Sequence, residues 1–231
     1  MSFMTDYVIA GPLQTVAPVA NNSAVFPVRR IYCIGRNYAE HAIEMGHNPD
    51  RESPFFFQKN PDNLDFSGTF TYPEKSCDVH YEIELVIAIG KGGKNINLDN
   101  ATDHVYGYAL GLDMTRRDLQ GKMKKMGRPW EIAKAFEKSA PMGPIIPASE
   151  LGHLCKGVID LKVNGELRQK GDLNQMIWKT AEIINYLSQY YELAAGDLIM
   201  SGTPAGVGPI KKGDVMVGSV EGMGELVVTV V

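Results

Sequence analysis

Glycine and proline interrupt this sequence throughout its length. The 231 residues include 24 glycines and 13 prolines. Glycine weakens helix and strand interiors and proline removes a backbone donor, so both residues tend to end regular elements. The pattern predicts many short strands and few, short helices, which is an α+β fold that is mostly β. We expect one domain over residues 1–231, with residues 1–26 as a strand-bearing arm, because neither a linker nor a repeat divides the chain.

Strands are predicted where apolar residues alternate or where β-branched and aromatic residues cluster. The predicted ranges are 25–34, 81–90, 105–112, 158–163, 197–201, 214–220 and 225–231. Asn164-Gly165 separates residues 158–163 from Glu-Leu-Arg-Gln, and this dipeptide between two strands is a strong signal for a tight β-hairpin.

Helices are predicted from apolar residues at helical spacing and from residues that cap helix ends. The predicted ranges are 38–45, 116–126 and 180–191. Asn37 and Gly46 are expected to cap the two ends of the first helix. Thr115-x-x-Asp118 is similar to a capping box at the start of the second.

Charge and cysteine content restrict the class of protein. The net charge is −4, which disfavours binding to nucleic acid. No apolar run approaches the ~18 residues that a membrane-spanning helix needs. Three cysteines without a C-x-x-C spacing predict neither a disulfide framework nor a zinc site. The first 28 residues contain no lysine or arginine, so we expect no secretory signal and a cytoplasmic protein.

Three acidic residues are candidate metal ligands. Glu82 and Glu84 are two residues apart on a predicted strand, so their side chains leave the same face. Asp113 ends an apolar run before a predicted helix. Three carboxylates suit Mg²⁺, Mn²⁺ or Ca²⁺. On the residues alone, an exposed polar strand face and a turn aspartate are open alternatives.

Two residue pairs and one lysine are candidates for catalysis or binding. His41 and Glu44 are three residues apart on a predicted helix, where a carboxylate could orient the imidazole as a general base; a surface pair is the alternative. Arg117 and Gln120 have the same spacing and could hold a carboxylate and an oxyanion. Lys134 lies in an apolar stretch, where it either extends its ammonium to solvent or binds an anion.

Taken together, the order and spacing of seven stretches resemble the fumarylacetoacetate hydrolase family. The stretches are GRNYAEHAIEMG (35–46), YEIELVIAIG (81–90), YALGLDMTRRDLQ (108–120), RPWEIAKAF (128–136), VNGELRQ (163–169), MIW (176–178) and GDLIMSGTPAGVGP (196–209). The resemblance runs from about residue 27 to the C-terminus. It implies a mixed β-roll around a central cavity with short flanking helices, a homodimer, and a divalent metal, Mg²⁺ or Mn²⁺.

By motif position, the resemblance also implies a role for each candidate residue. Glu82, Glu84 and Asp113 would hold the metal. His41 and Glu44 would be the catalytic dyad, on a helix that orders over the substrate.

The remaining roles that the resemblance implies concern substrate. Lys134 and Gln120 would polarise it, Arg117 would bind it, and Thr203 would contact its carboxylate. Lys59 falls near a family F-x-K-P motif and would be a further substrate contact. Here Lys-Asn-Pro replaces Lys-Pro, which leaves the path of the following loop open.

The implied activity is metal-dependent hydrolysis of a carbon–carbon bond in an acylpyruvate, a small 2,4-dioxo acid. Residues 46–59 and 127–136 narrow the implied substrate to fumarylpyruvate, cleaved to fumarate and pyruvate in gentisate catabolism. Residues 46–62 are expected to form a lid. Decarboxylation of oxaloacetate, and isomerisation with decarboxylation in homoprotocatechuate catabolism, are alternatives on the same site. The His41–Glu44 dyad favours hydrolysis, because decarboxylation needs no base to activate water.

Overall fold

The structure is a computed structural model that describes residues 8–44 and 52–231. The predicted helix end at Gly46, residues 46–51 of the predicted lid, and residues 1–7 of the predicted arm lie outside the described residues.

Short strands dominate the described part of the chain. They are Val16–Pro18 (β1), Val25–Pro27 (β2), Arg30–Gly35 (β3), Phe55–Lys59 (β4), Leu64–Asp65 (β5), Thr69–Phe70 (β6), Val79–Tyr81 (β7), Ile83–Ile89 (β8), Val105–Leu112 (β9), Thr115–Arg116 (β10), Ala140–Pro141 (β11), Ile146–Pro147 (β12), Val158–Val163 (β13), Glu166–Asp172 (β14), Asp197–Met200 (β15), Gly208–Pro209 (β16), Val215–Val220 (β17) and Gly224–Val230 (β18). The predicted hairpin is present, as β13 and β14 pair antiparallel around Asn164-Gly165.

Helices are fewer and short. They are Ala39–Glu44 (α1), Arg117–Lys125 (α2), Glu131–Lys134 (α3), Ala148–Leu151 (α4) and Thr180–Tyr190 (α5), with 3₁₀ turns at Pro61–Asn63, Leu98–His104 and Leu173–Gln175. None of the helices within residues 8–44 and 52–231 combines the length and apolar character needed to cross a membrane.

Two mixed sheets form the body of the molecule. The six-stranded sheet has the order β12-β9-β8-β15-β3-β4, in which only the β15–β3 pair is parallel. The five-stranded sheet has the order β14-β13-β17-β18-β6 and contains one parallel pair, β18–β6. A small third sheet, β10-β7-β16, stands beside them. The predicted mostly-β architecture is therefore confirmed.

Strand β8 is buried on both faces. Its alternate residues enter two apolar clusters: one face contributes to a large core that also contains residues of the five-stranded sheet, and the other packs against the N-terminal arm. The first face carries Ile83, Leu85, Ile87 and Ile89. The second carries Val86 and Ala88, and Glu84 shares that face. Glu84 therefore points into the molecular interior and not to solvent.

Two predicted strands are each divided in the structure, because the chain changes sheets. Residues 25–34 form β2, which pairs with β1, and then β3, which pairs with β15. Residues 81–90 divide at Glu82, where β7 of the small sheet gives way to β8 of the six-stranded sheet. Glu82 therefore lies in a break between strands, beside the site described below.

Asn37 has a tertiary role and not the predicted capping role. Its Nδ2 atom donates to the carbonyl oxygens of Trp178 and Ser201, at 2.9 and 2.8 Å. Its Oδ1 atom accepts from the backbone N–H of Trp178 at 2.7 Å. These bonds connect the start of α1 to two distant loops, and so position the helix that carries His41.

The predicted capping box before α2 is also absent from the structure. The Thr115 hydroxyl donates to the carbonyl oxygen of Asp113 at 3.0 Å. The Asp118 carboxylate accepts from the Ser76 hydroxyl at 2.7 Å. Neither side chain forms the predicted capping bond. The Ser76–Asp118 bond instead connects α2 to the segment before β7.

Candidate active site

Three carboxylates meet at one edge of the six-stranded sheet. Strands β8 and β9 are antiparallel with Ile83 opposite Leu112, so the start of β8 lies beside the end of β9. The Asp113 backbone N–H donates to the carbonyl oxygen of Glu82 at 2.9 Å and closes this end of the pair. One carboxylate oxygen each from Glu82, Glu84 and Asp113 lies within 4.8 Å of the other two. The structure thus brings together the three predicted metal ligands.

Burial makes the charge of these acids costly unless it is compensated. Their exposed fractions are 5% for Glu82, 2% for Glu84 and 1% for Asp113. The Lys134 ammonium donates to Glu82 Oε2 at 2.9 Å and to Asp113 Oδ2 at 2.6 Å. Arg117 Nη2 donates to Glu82 Oε1 at 2.5 Å. Two of the three acids therefore have cationic partners at close range.

Lys59 lies behind Asp113 as seen from the cavity, and its predicted contact with substrate stays a prediction. Its ammonium is buried 2.9 Å from Asp113 Oδ1 and donates to the Ser139 hydroxyl at 3.0 Å and to the carbonyl oxygens of Met114 and Lys134. Lys59 is not among the residues that line the cavity. The loop after it enters the 3₁₀ turn Pro61–Asn63. The lysine supports a candidate metal ligand because its ammonium is enclosed by protein acceptors.

The three acids differ in electrostatic environment. Burial, then the charges of Asp113 and Glu82, raise the pKa of Glu84 well above its usual range. Burial also acts to raise the pKa of Glu82, but the positive charges of Lys134 and Arg117 outweigh it and hold that pKa well below its usual range. Within residues 8–44 and 52–231, Glu84 forms no ion pair with a lysine or arginine within 4 Å. Glu84 is the acid that lacks a cation.

A hard divalent cation fits this donor set. Three carboxylates converge, and the only hydrogen bond of Glu84 within the described residues is from the Gly202 N–H to Oε2, at 2.8 Å. Oxygen ligands of this kind suit Mg²⁺, Mn²⁺ and Ca²⁺. Three cations already face the three acids, and they are Lys59, Lys134 and Arg117. A bound divalent cation would therefore leave the site net positive and attractive to a carboxylate.

The predicted dyad forms on α1. His41 Nδ1 lies 3.1 Å from Glu44 Oε2, and His41 lines the same cavity as the three acids. Both Glu44 oxygens accept from the Gly206 N–H at 3.1 Å. Gly206 has a φ of +97°, and a Cβ atom there would collide with the carbonyl oxygen of Arg168. Only glycine allows the loop to approach in this way and orient the Glu44 carboxylate.

The other predicted substrate-contact residues line the cavity. Arg117 Nη1 donates to Gln120 Oε1 at 2.8 Å, as their spacing on α2 suggested. The Thr203 hydroxyl donates to the carbonyl oxygen of Ile83 and accepts from Gln169 Nε2, both at 2.8 Å. Gln169 Oε1 also accepts from the Ile83 N–H at 3.0 Å. Gln169 thus holds both the Thr203 hydroxyl and the start of β8. It is the last residue of the VNGELRQ stretch, in which no site residue was predicted.

Seven further residues line the cavity that were not predicted as site residues. Two of them, Ile34 and Gly35, belong to β3, and the other five are charged or aromatic: Arg36, Phe55, Phe57, Lys124 and Trp130. Lys124 follows Gln120 by four residues, so extending the helical face of α2 by one turn would have found it. The aromatic residues come from β4 and the segment before α3, and their meeting at one wall depends on tertiary structure.

Comparisons with known proteins show similarity to one enzyme family. Residues 30–231 match the family Fumarylacetoacetate (FAA) hydrolase C-terminal. The solved structure of fumarylpyruvate hydrolase from Pseudomonas aeruginosa, in complex with Mn²⁺ and pyruvate, is 52% identical, with a TM-score of 0.95 over 98% of this chain and 99% of that chain.

Two relatives with similar identity to this chain are named for different activities. Fumarylpyruvate hydrolase from Ralstonia sp is 45% identical over 189 residues, 80% of this chain and 98% of the relative. Mitochondrial oxaloacetate decarboxylase from Dictyostelium discoideum is 42% identical over 197 residues, 84% of this chain and 90% of the relative. The family match and the structural match confirm the fold that the resemblance implied. The chain belongs to the fumarylacetoacetate hydrolase family and is an enzyme of that family with a buried Glu-Glu-Asp metal site.

Proposed function

We propose that this enzyme hydrolyses the carbon–carbon bond of an acylpyruvate, with fumarylpyruvate as substrate and fumarate and pyruvate as products. The observation that carries the proposal is the His41–Glu44 pair in the same cavity as the three acids. A base that activates water, next to a cation site, is the combination that hydrolysis of a 2,4-dioxo acid requires. Pyruvate, the leaving product, is bound in the Pseudomonas aeruginosa relative.

We further propose that Glu82, Glu84 and Asp113 hold Mg²⁺ or Mn²⁺. When bound, the metal supplies Lewis-acid stabilisation of negative charge on the 2-oxo acid end of the substrate. Arg117 and Thr203 line the same cavity as the acids and would bind the carboxylate of that end. Hydrogen bonds to Glu82 and Gln120 hold the Arg117 side chain, and a hydrogen bond from Gln169 holds the Thr203 hydroxyl. Arg117 and Thr203 are therefore oriented before substrate binds.

The protein residues account for the bond changes as follows. Glu44 accepts from His41 Nδ1–H, so His41 Nε2 takes a proton from water while the water oxygen attacks C4 of the substrate. The Lys134 ammonium and the Gln120 amide stabilise the oxyanion that develops on the C4 oxygen. The C3–C4 bond then breaks, and its electron pair passes to C3. His41 returns the proton to C3, which yields pyruvate and the carboxylic acid of the acyl group, and this acid then loses its proton to solvent.

Lys134→Met is expected to lower kcat by about 10²–10³-fold, because it removes one preorganised donor to the oxyanion. The same change removes a positive charge 2.9 Å from Glu82 Oε2 and 2.6 Å from Asp113 Oδ2. Mn²⁺ affinity, measured by isothermal titration, should therefore stay equal or increase. A variant that loses activity only as it loses Mn²⁺ would contradict the oxyanion role.

Oxaloacetate decarboxylation is the second candidate function. The Dictyostelium discoideum relative favours it, since its identity to this chain is similar to that of the Ralstonia sp hydrolase. Decarboxylation needs the cation to stabilise an enolate but no water-activating base. The His41–Glu44 contact therefore favours hydrolysis over decarboxylation and over the isomerisation of homoprotocatechuate intermediates.

The decisive assay follows the ultraviolet enol band of fumarylpyruvate with enzyme and Mg²⁺. We expect the band to disappear while fumarate and pyruvate form in equal amounts. Oxaloacetate is the matched second substrate in the same buffer. Release of carbon dioxide from oxaloacetate without cleavage of fumarylpyruvate would replace the hydrolase with the decarboxylase.

A further inference from the structure

One loop, residues 201–206, is bonded to both halves of the active site. Near its start, the Gly202 N–H donates to Glu84 Oε2 at 2.8 Å, in the acidic cluster. At its end, the Gly206 N–H donates to the Glu44 carboxylate at 3.1 Å, where α1 ends. The proposed metal site and the proposed dyad therefore share the hydrogen bonds of a single loop.

The beginning of α1 is bonded to the same loop through Asn37. This residue is fully buried, and its Nδ2 atom donates to the carbonyl oxygen of Ser201 at 2.8 Å. The rest of the Asn37 amide is bonded to the backbone of Trp178. The carbonyl oxygen of Asn37 accepts from the Ile177 N–H at 2.7 Å. Both ends of the helix that carries the dyad are thus held by residues 201–206.

One peptide unit of this loop is bonded to Asn37 on one side and to Glu84 on the other. Its carbonyl oxygen, from Ser201, accepts from Asn37. Its N–H, from Gly202, donates to Glu84. Because a peptide unit is planar and this one is trans, the two groups point in opposite directions and turn together. A shift of the Glu84 carboxylate that turns the N–H therefore also turns the carbonyl oxygen that Asn37 binds.

Gly202 allows this peptide to lie directly against the start of α1. Its φ is +97°, a conformation that residues with a side chain rarely adopt. A Cβ atom at this position would lie 2.7 Å from the Cβ atom of Asn37 and 3.3 Å from the carbonyl oxygen of Ile34. Loop and helix start are in close contact, and close-packed groups transmit a displacement from one to the other.

We propose that Asn37 is a positioning residue that couples metal binding at Glu84 to the placement of His41. A cation bound at Glu84 would fix its carboxylate and, through the shared peptide unit, the carbonyl oxygen that accepts from Asn37. A coupling free energy between two sites is reciprocal, so a firmly held α1 favours metal binding as much as bound metal favours the placement of α1. The inference rests on the proposed metal site and dyad, and it is independent of which substrate is cleaved.

The first test measures amide hydrogen exchange of the wild type by NMR, in saturating Mg²⁺ and in excess chelator. The reporter is the Trp178 N–H, which donates to Asn37 Oδ1 at 2.7 Å. The matched control is the Ile96 N–H, which donates to the Ser188 hydroxyl at 2.8 Å in another part of the molecule. Mg²⁺ is expected to slow exchange of the reporter about fivefold or more relative to the control. Equal slowing of both amides would indicate general stabilisation and, like no slowing at all, would overturn the coupling.

The second test measures the Kd for Mn²⁺ by isothermal titration in the wild type, Asn37→Ser and Asn185→Ser. Asn37→Ser is expected to raise this Kd about tenfold, the lower part of the range for loss of an outer hydrogen-bond partner at a metal site. Asn185→Ser removes a similar bond, from Nδ2 to the carbonyl oxygen of Ile96 at 2.7 Å, from a residue that does not line the cavity. The Kd of this control should equal that of the wild type. An unchanged Kd in Asn37→Ser would contradict the proposal.

Steady-state kinetics of Asn37→Ser in saturating Mg²⁺ test the effect on His41. We expect kcat for fumarylpyruvate to fall while KM changes little, because the base is displaced and the substrate contacts remain. A higher KM with normal kcat would contradict the effect on His41.

The exchange and titration measurements need no turnover, so they separate this inference from the proposed reaction. If both give the expected results while fumarylpyruvate is not cleaved, the proposed reaction is wrong and the coupling stands. If fumarylpyruvate is cleaved but neither measurement shows an effect, the coupling alone is wrong. If Asn37→Ser does not fold, the exchange of the wild type decides.

Discussion

His41→Ala is expected to lower kcat for fumarylpyruvate hydrolysis by about 10³–10⁴-fold, the upper part of the range for loss of a general base. The imidazole lines the cavity, and its Nδ1 atom is held 3.1 Å from Glu44 Oε2. No other histidine lines that cavity, so within the described residues no second imidazole could replace it. Steady-state loss of the enol absorbance measures the effect.

The matched control for this prediction is Glu44→Gln. Glutamine keeps the size of the side chain and one oxygen for the Gly206 N–H, but it lacks the charge that stabilises a protonated imidazole. We expect a smaller loss than in His41→Ala. Mn²⁺ affinity should stay the same in both variants, since neither residue is in the acidic cluster. Near-normal turnover of His41→Ala would show that another group activates water.

Removal of divalent metal is expected to abolish turnover, and Mg²⁺ or Mn²⁺ should restore it. The structural reason is Glu84, which is buried against Asp113 and Glu82 without a lysine or arginine ion pair of its own in the described residues. A bound cation would compensate that charge and supply the Lewis acid that the reaction needs. Activity before and after treatment with excess chelator is the measurement. Full activity in a chelated sample would exclude a metal role.

Thermal unfolding gives a second readout of the same prediction, independent of catalysis. Metal at about 100 times its Kd stabilises the folded protein by about 2.7 kcal/mol, which corresponds to an increase in Tm of roughly 5–10 °C for a chain of this size. Glu82→Gln should weaken this shift, and excess Mg²⁺ should partly restore its activity. A Tm that does not change with metal in the wild type would show that the folded protein binds no divalent cation at these concentrations.

Local sequence patterns predicted most of the longer elements of this fold, but not strand β4 or the two-residue strands. Strand β9 was expected at residues 105–112, and Val105–Leu112 is what the structure shows. The hairpin around Asn164-Gly165 was also predicted, because a two-residue turn depends on its own residues. The divided strands and the helix caps were predicted less well. Which sheet a strand joins, and which group a side chain bonds to, depend on residues far away in the sequence. Homodimeric assembly, single-domain organisation and cytoplasmic location stay predictions.

In the site, too, contacts within one strand or helix were predicted and contacts between distant segments were not. Spacing alone placed Glu82 with Glu84, His41 with Glu44, and Arg117 with Gln120, because a strand repeats every two residues and a helix every three to four. Spacing could not show that Lys59 lies behind Asp113 or that Arg36 reaches the same cavity as Lys124. Those contacts join residues far apart in the chain.

The sequence by itself therefore determined which side chains share a face of one strand or helix, and the order of motifs identified the family. Only the tertiary structure decided which faces meet. The antiparallel pairing of β8 with β9 brings Asp113 close to Glu82. Burial on both faces of β8 removes Glu84 from solvent and raises its pKa, so a bound cation would stabilise its charged form. Long-range pairing and burial depend on the whole chain, and periodicity reports only on neighbours.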